Sequence, residues 1–187
     1  SIFDHGYHIF SIVMFFLGRV EEVFAWIERR ELQPGLVWDS PAVIVWRHEG
    51  GGPFDTAQGR RFGSWETVNS AEMVVRSKYY SNDEWVEITG SRGVIWVNRC
   101  SGEMLAVPPL VVYRDGETRA VHDIESDWAA SFVAGTQAFV RAIQEGPGRA
   151  GGQPELTAEE GREVLRFSLA AHRSAQEGRP VRLAEMG

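Results

Sequence analysis

Lysine is almost missing from this chain. Of its 19 basic residues in 187, eighteen are arginine and one is Lys78. Chemistry that needs an amine therefore rests on Lys78 or on another polypeptide. Cysteine is equally scarce: Cys100 stands alone, which excludes an internal disulfide framework and fits a reducing compartment. Positive charge is in deficit. The net charge of −7 offers no basic surface for a nucleic acid. Long apolar runs are missing too. The longest, Ile9 to Leu17 with Ser11 inside it, is too short to span a bilayer. It also lacks the basic start and small-residue cleavage site of a signal peptide. The expectation is a soluble cytoplasmic protein that meets neither nucleic acid nor membrane.

What is present is an ordinary globular mixture, 43% hydrophobic and 24% charged, of a length that suits one domain over residues 1–187. Asp4 is a good N-cap and Gly18 a good C′ residue, so the spacing predicts a helix of about 12 residues between them. That helix is apolar nearly all round, which predicts that something covers its outer face. A β-rich middle follows. Strands are expected over Val20 to Glu31, Val37 to Glu49, Ser64 to Ser77, Glu84 to Thr89 and Val94 to Arg99, with a long polar loop over Gly50 to Gly63. Leu105 to Tyr113 pairs with Glu117 to His122 across Arg114-Asp115-Gly116, a hairpin signal.

The last third is helical. Trp128, Phe132, Phe139, Val140 and Ile143 form an apolar stripe that ends at Gly146. Thr157-Ala-Glu-Glu160 is a capping box for a second helix, whose expected core face is Val164, Leu165, Phe167, Leu169 and Ala171. Val181 to Leu183 reads as a short final strand. The order of elements describes an α+β domain with a large, mostly antiparallel open sheet and helices on one face.

The pattern richest in chemistry is Asp4-His-Gly-Tyr-His8 at the start of the first helix. Residues four apart share a helix face, so Asp4 and His8 are neighbours. The positive end of the helix dipole favours neutral imidazole, and a carboxylate can orient it, which is the arrangement of a general base. Two other readings use the same residues: Asp4 as a cap beside a buried structural His8, or a zinc site of Asp4, His5 and His8 completed by His48 or His122. Ser77-Lys-Tyr-Tyr80 lies at a strand end beside a polar turn, which makes Lys78, Tyr79 and Tyr80 candidate substrate contacts. Gly146-Pro-Gly-Arg-Ala-Gly151 matches G-x-G-x-x-G, but it follows a helix and no βαβ unit surrounds it, so it reads as an interhelical loop. Cys100 has no local histidine partner and reads as a plain strand cysteine.

Asp4-x-Gly6-x-His8, followed by Gly18, resembles the D-x-G-x-H-x-x-D…L-G segment of the Gfo/Idh/MocA oxidoreductases, with Ser11 in place of the second aspartate. Glu87 to Ile95 is similar to the family's strand–turn–strand. Leu156 to Leu165, Ala170 to Ser174 and Gly178 to Leu183 resemble its C-terminal helix and final strand. The resemblance runs over nearly the whole chain, and to the C-terminal half of the family only. It implies an N-terminal Rossmann domain outside this chain, carrying the cofactor and a catalytic lysine whose role does not transfer to Lys78. It further implies NAD or NADP in the complete protein and none on this chain alone. The implied reaction is hydride transfer from a sugar- or polyol-like alcohol, with His8 taking the hydroxyl proton and Asp4 orienting. The open sheet face would be the interface of a homodimer or homotetramer. The competing expectation is a binding or scaffold module that keeps the fold without the catalysis.

Overall fold

Three of the six strand pairs described in this protein close across two-residue turns, at 34–35, 91–92 and 115–116. The structure is a computed structural model and describes residues 2–3, 5–50, 60–68, 74, 76, 84–98, 107–125, 127–146 and 156–187. The element order is α1 (His5–Leu17), β1 (Val20–Gln33), β2 (Leu36–His48), β3 (Phe62–Thr67), β4 (Val86–Gly90), β5 (Gly93–Val97), β6 (Leu110–Arg114), β7 (Glu117–Val121), α2 (Trp128–Glu145), α3 (Ala158–Glu177) and β8 (Val181–Arg182), followed by a 3-10 turn at Leu183–Met186. The α+β class and antiparallel pairing agree with the sequence reading. The strands are distributed over two four-stranded sheets, one in each of two compact units, Ser1–Ser70 with Glu155–Gly187 and Ala71–Pro154.

In the first unit the sheet order is β3-β2-β1-β8, antiparallel throughout. One sheet face is the core. Strand alternation turns Val23 and Ala25 of β1 and Ala42, Ile44 and Trp46 of β2 the same way, and all five are buried. Helix α3 lies against β1, and α1 lies against α3. Phe10 and Phe167, both wholly buried, stack with ring centroids 4.0 Å apart. Two glycines permit this packing. A Cβ on Gly63 would sit 2.3 Å from ring carbons of Trp46, and one on Gly6 would meet Phe10 at 3.2 Å and Trp65 at 3.4 Å.

The capping box of α3 is present: Glu160 N donates to Thr157 Oγ1 at 3.2 Å, and Thr157 N donates to Glu160 Oε2 at 2.7 Å. The helix ends on Gly178 in the left-handed region, φ 65°. Its buried residues are Val164, Phe167, Ser168, Ala170, Ala171 and Ser174. Leu165 and Leu169, expected in the core, are instead exposed. At 100° per residue they fall together on the flank of the stripe that 164, 167, 168 and 171 define. The hydroxyl of Ser174 accepts from Ala25 N at 3.1 Å and donates to the carbonyl of Arg179, so helix, sheet and final turn meet at one buried serine.

The second unit has the meander β4-β5-β6-β7, again antiparallel. The hairpin expected at Arg114 to Glu117 is there. Asp115 and Gly116 both have positive φ, 52° and 89°, the combination a tight two-residue hairpin turn requires. Helix α2 starts on Asp127, whose carboxylate accepts from Ala129 N at 2.7 Å. Its predicted stripe is not a core: Phe132, Phe139, Val140 and Ile143 are exposed and Ala142 is its one buried residue. Strand β3 ends at Thr67, short of the expected Ser77. Of the remainder only 68, 74 and 76 are described, and none is in a strand.

Candidate functional site

Helix α1 is two-faced despite its composition. Gly6, Ile9 and Phe10 are buried, whereas His8, Ile12 and Phe15 are exposed. The spacing i, i+4, i+7 places these last three on one stripe. Phe10 sets the rotation. Besides Phe167 it meets Trp65 edge-on at 5.5 Å and Trp46 at 6.3 Å, and burying such a ring stabilises the fold by about 1.5–3 kcal/mol. The candidate base is therefore presented outward by a helix whose other side is locked. The reading of His8 as a buried structural histidine does not hold.

His8 has two near neighbours on its own helix. The His5 ring lies edge-on with centroids 6.5 Å apart. Ser11, where the resemblance leads one to expect a carboxylate, donates its hydroxyl to the His8 carbonyl at 2.9 Å. Its polar group is turned into the helix backbone. Asp4, Lys78, Tyr79, Tyr80 and Cys100 lie outside the described residues, as do residues 147–151 of the glycine-rich loop.

His48 is buried, and both of its ring nitrogens are engaged. Trp46 Nε1, which can only donate, lies 3.0 Å from His48 Nε2. Nε2 is therefore the acceptor, and Nδ1 carries the hydrogen it shares with the Gly18 carbonyl 2.9 Å away. Gly18 is the C′ residue of α1, with φ 80° and its N–H on the Met14 carbonyl at 2.9 Å. His48 thus ties the C-terminal end of the candidate-site helix to β2. Burial pushes its pKa below the usual histidine value, with the Gly18 carbonyl opposing and Arg61 assisting. These bonds leave His48 no lone pair for the zinc reading, and among the described residues, which do not include Asp4, no three His, Cys, Asp or Glu side chains are grouped to hold a metal.

A second polar cluster had no signal in the sequence. His172 on α3 stacks on Phe3 with ring centroids 4.4 Å apart and planes 4° from parallel. Its Nε2 is 3.9 Å from Asp39 Oδ2 on β2, and Asp39 Oδ1 is 3.5 Å from Arg29 Nε on β1. Asp39 is buried, and His172 Nε2 is buried without a hydrogen-bond partner. Burial lowers the His172 pKa, Asp39 opposes that shift and Arg29 adds to it. Asp39 and His172 are 133 positions apart, and no local motif links them.

All strand pairings described here are antiparallel, so no βαβ unit stands among the described residues. No helix among them is long and apolar enough to cross a membrane.

The sequence profile described as "Oxidoreductase family, C-terminal alpha/beta domain" matches residues 1–183. No curated protein matches the chain. Among solved structures, an oxidoreductase from Agrobacterium radiobacter in complex with NAD+, L-tartaric acid and magnesium is similar to it at TM-score 0.70 and 18% identity, over 100% of this chain and 50% of that one. A probable dehydrogenase from Thermotoga maritima is similar at TM-score 0.64 and 23% identity, over 100% and 50%. Levoglucosan dehydrogenase, in its apo form, gives TM-score 0.68 and 17% identity, over 96% and 50%. At such identities the likeness is one of fold. The chain spans about half the length of the proteins it matches.

Proposed function

We propose, for a chain that belongs to the C-terminal alpha/beta domain of the Gfo/Idh/MocA oxidoreductase family, that residues 1–187 act as the single substrate-binding and oligomerisation domain of an NAD(P)-dependent oxidoreductase. The observation that carries this reading is the outward presentation of His8 on α1, in one stripe with Ile12 and Phe15. An exposed imidazole beside apolar side chains suits a base that works under a cover, where water is excluded as a further domain closes over it.

The described residues hold no βαβ unit, so no cofactor contact is assigned to this chain and the chain alone is proposed to be inactive. A nicotinamide held by a further domain supplies the hydride acceptor. This chain's part is proton transfer: His8 takes the proton of a substrate hydroxyl, and Asp4 orients the substrate or the imidazole. Lys78, Tyr79 and Tyr80 remain proposed substrate contacts. A small hydroxyl-rich, carbohydrate-like substrate is supported by two similar proteins, one a levoglucosan dehydrogenase and one an oxidoreductase in complex with L-tartaric acid. A cytoplasmic location belongs to the same reading.

The outer face of the first sheet supports self-association. Trp26 and Phe62 are 60% and 67% exposed, and the strand alternation that buries Val23 and Trp46 turns Phe24 and Val45 toward that outer face. A homodimer or homotetramer formed there would cover them.

The test is His8→Ala in the full-length protein. Loss of a general base lowers turnover about 10²–10⁴-fold, and turnover that stays within a few-fold of wild type removes the assignment. A scaffold without catalysis is the second reading, and the backbone-bonded Ser11 hydroxyl favours it. Cofactor-dependent turnover by the full-length protein decides against it.

A further inference from the structure

We propose that His172 is a positioning residue: its stack on Phe3 holds the chain at the entrance to α1, and gain of a proton on the imidazole releases that hold. The inference rests, for its bearing on turnover, on the reading of α1 as the helix that carries the site.

Among the described residues, His172 is the anchor of this segment that can change charge. Ile2 is wholly buried and cannot. Phe3 is 40% exposed and is held face to face by the imidazole of α3 at 4.4 Å. Phe3 lies two residues before the start of α1 and five before His8, so the stack holds the chain close to the start of that helix. Among the described residues, the charged groups bearing on the ring are Asp39 from β2 and Arg29 from β1, and Ile2 and Phe3 before α1 are uncharged.

The neutral ring fits this place and the charged ring does not. His172 Nε2 is shut off from water, and its nearest carboxylate oxygen is 3.9 Å away, beyond hydrogen-bond reach. Asp39 also faces Arg29 at 3.5 Å, so its charge is shared. An imidazolium here loses its hydration without gaining a hydrogen bond, and burial outweighs the attraction of Asp39. With Phe3 lifted away, the ring face it covers regains water, and the lowering by burial is eased. Proton uptake therefore favours the lifted arrangement by linkage. The equilibrium is local, because Phe3 is already part exposed and only one stack is broken.

The test uses the 187-residue chain with labelled histidine and phenylalanine, observed by NMR from pH 8 to pH 5. The His172 nitrogens are expected to titrate in step with loss of the ring-current shift of the Phe3 protons. His172→Phe, which keeps an aromatic partner and removes the titration, is expected to abolish the pH dependence of the Phe3 signals. Asp39→Asn is expected to move the midpoint to lower pH, since the opposing attraction is gone. Phe3 signals that ignore pH in the wild type overturn the proposal, as does an unchanged transition in His172→Phe. If that variant does not fold, the wild-type nitrogen titration decides alone: a His172 midpoint that does not coincide with the Phe3 transition overturns it. None of these readings depends on turnover, so the proposal and the assignment of His8 fail separately.

Discussion

Trp46 donates its indole hydrogen to His48, two residues along the same strand and 3.0 Å away. Alternation puts both side chains on the core face of β2, and the bond settles which nitrogen of His48 is protonated. Everything the imidazole does follows: it faces the carbonyl that ends α1 as a neutral donor. Protonation of Nε2 would set two donors against each other.

Stability is accordingly expected to fall on mild acidification. Both His48 and His172 have folded-state pKa values below the ordinary 6.5, chiefly through burial. The unfolded chain binds these protons first. The stabilisation is fully present above pH 6.5 and is lost as pH falls through the lowered folded values. Urea unfolding at a series of pH values checks the sign, and stability that rises from pH 7 to pH 5.5 would contradict it.

Replacing His48 by Phe leaves the Trp46 N–H and the Gly18 carbonyl without their present partner. A buried polar group left unpaired costs about 1–3 kcal/mol. The same variant is expected to flatten the pH dependence, which a packing defect alone would not do. Denaturant midpoints at two pH values separate the effects.

Gly63→Ala is expected to destabilise by about 1–3 kcal/mol, because the new methyl would lie 2.3 Å from the Trp46 ring. Gly161, with nothing within 4 Å of its would-be Cβ, is the control: in a helix Gly→Ala there is expected to stabilise by up to about 1 kcal/mol. Thermal unfolding of the pair reads both.

Phe10→Ala removes a wholly buried ring from among Phe167, Trp65 and Trp46 and is expected to cost about 3–5 kcal/mol. His8→Ala, on the opposite side of the same helix, is expected to change stability by no more than about 0.5 kcal/mol. If His8→Ala unfolds the chain, the outward-facing base loses its physical support.

Local pattern accounts for much of this. Asp115 and Gly116 place the β6–β7 hairpin, Gly18 ends α1, and Thr157 with Glu160 starts α3, because each acts through bonds spanning four residues or fewer. Orientation of the helices did not follow from pattern to the same degree. Leu165 and Leu169 look as apolar as Val164, yet the face α3 presents is chosen by what Phe10 and the sheet offer it. The α2 stripe is periodic enough for a core face, and none of its large residues is buried.

By itself the sequence determined the α+β class, the antiparallel pairing, the order of elements and His8 as the outstanding candidate base, because alternation, caps and turns are properties of neighbouring residues. Tertiary structure decided which side of α1 His8 occupies, which nitrogen of His48 carries the hydrogen, and that His172 meets Asp39 and Phe3. Those outcomes depend on residues brought together from distant parts of the chain, and burial there, rather than spacing, sets which atoms stay wet, which are paired and which can gain a proton.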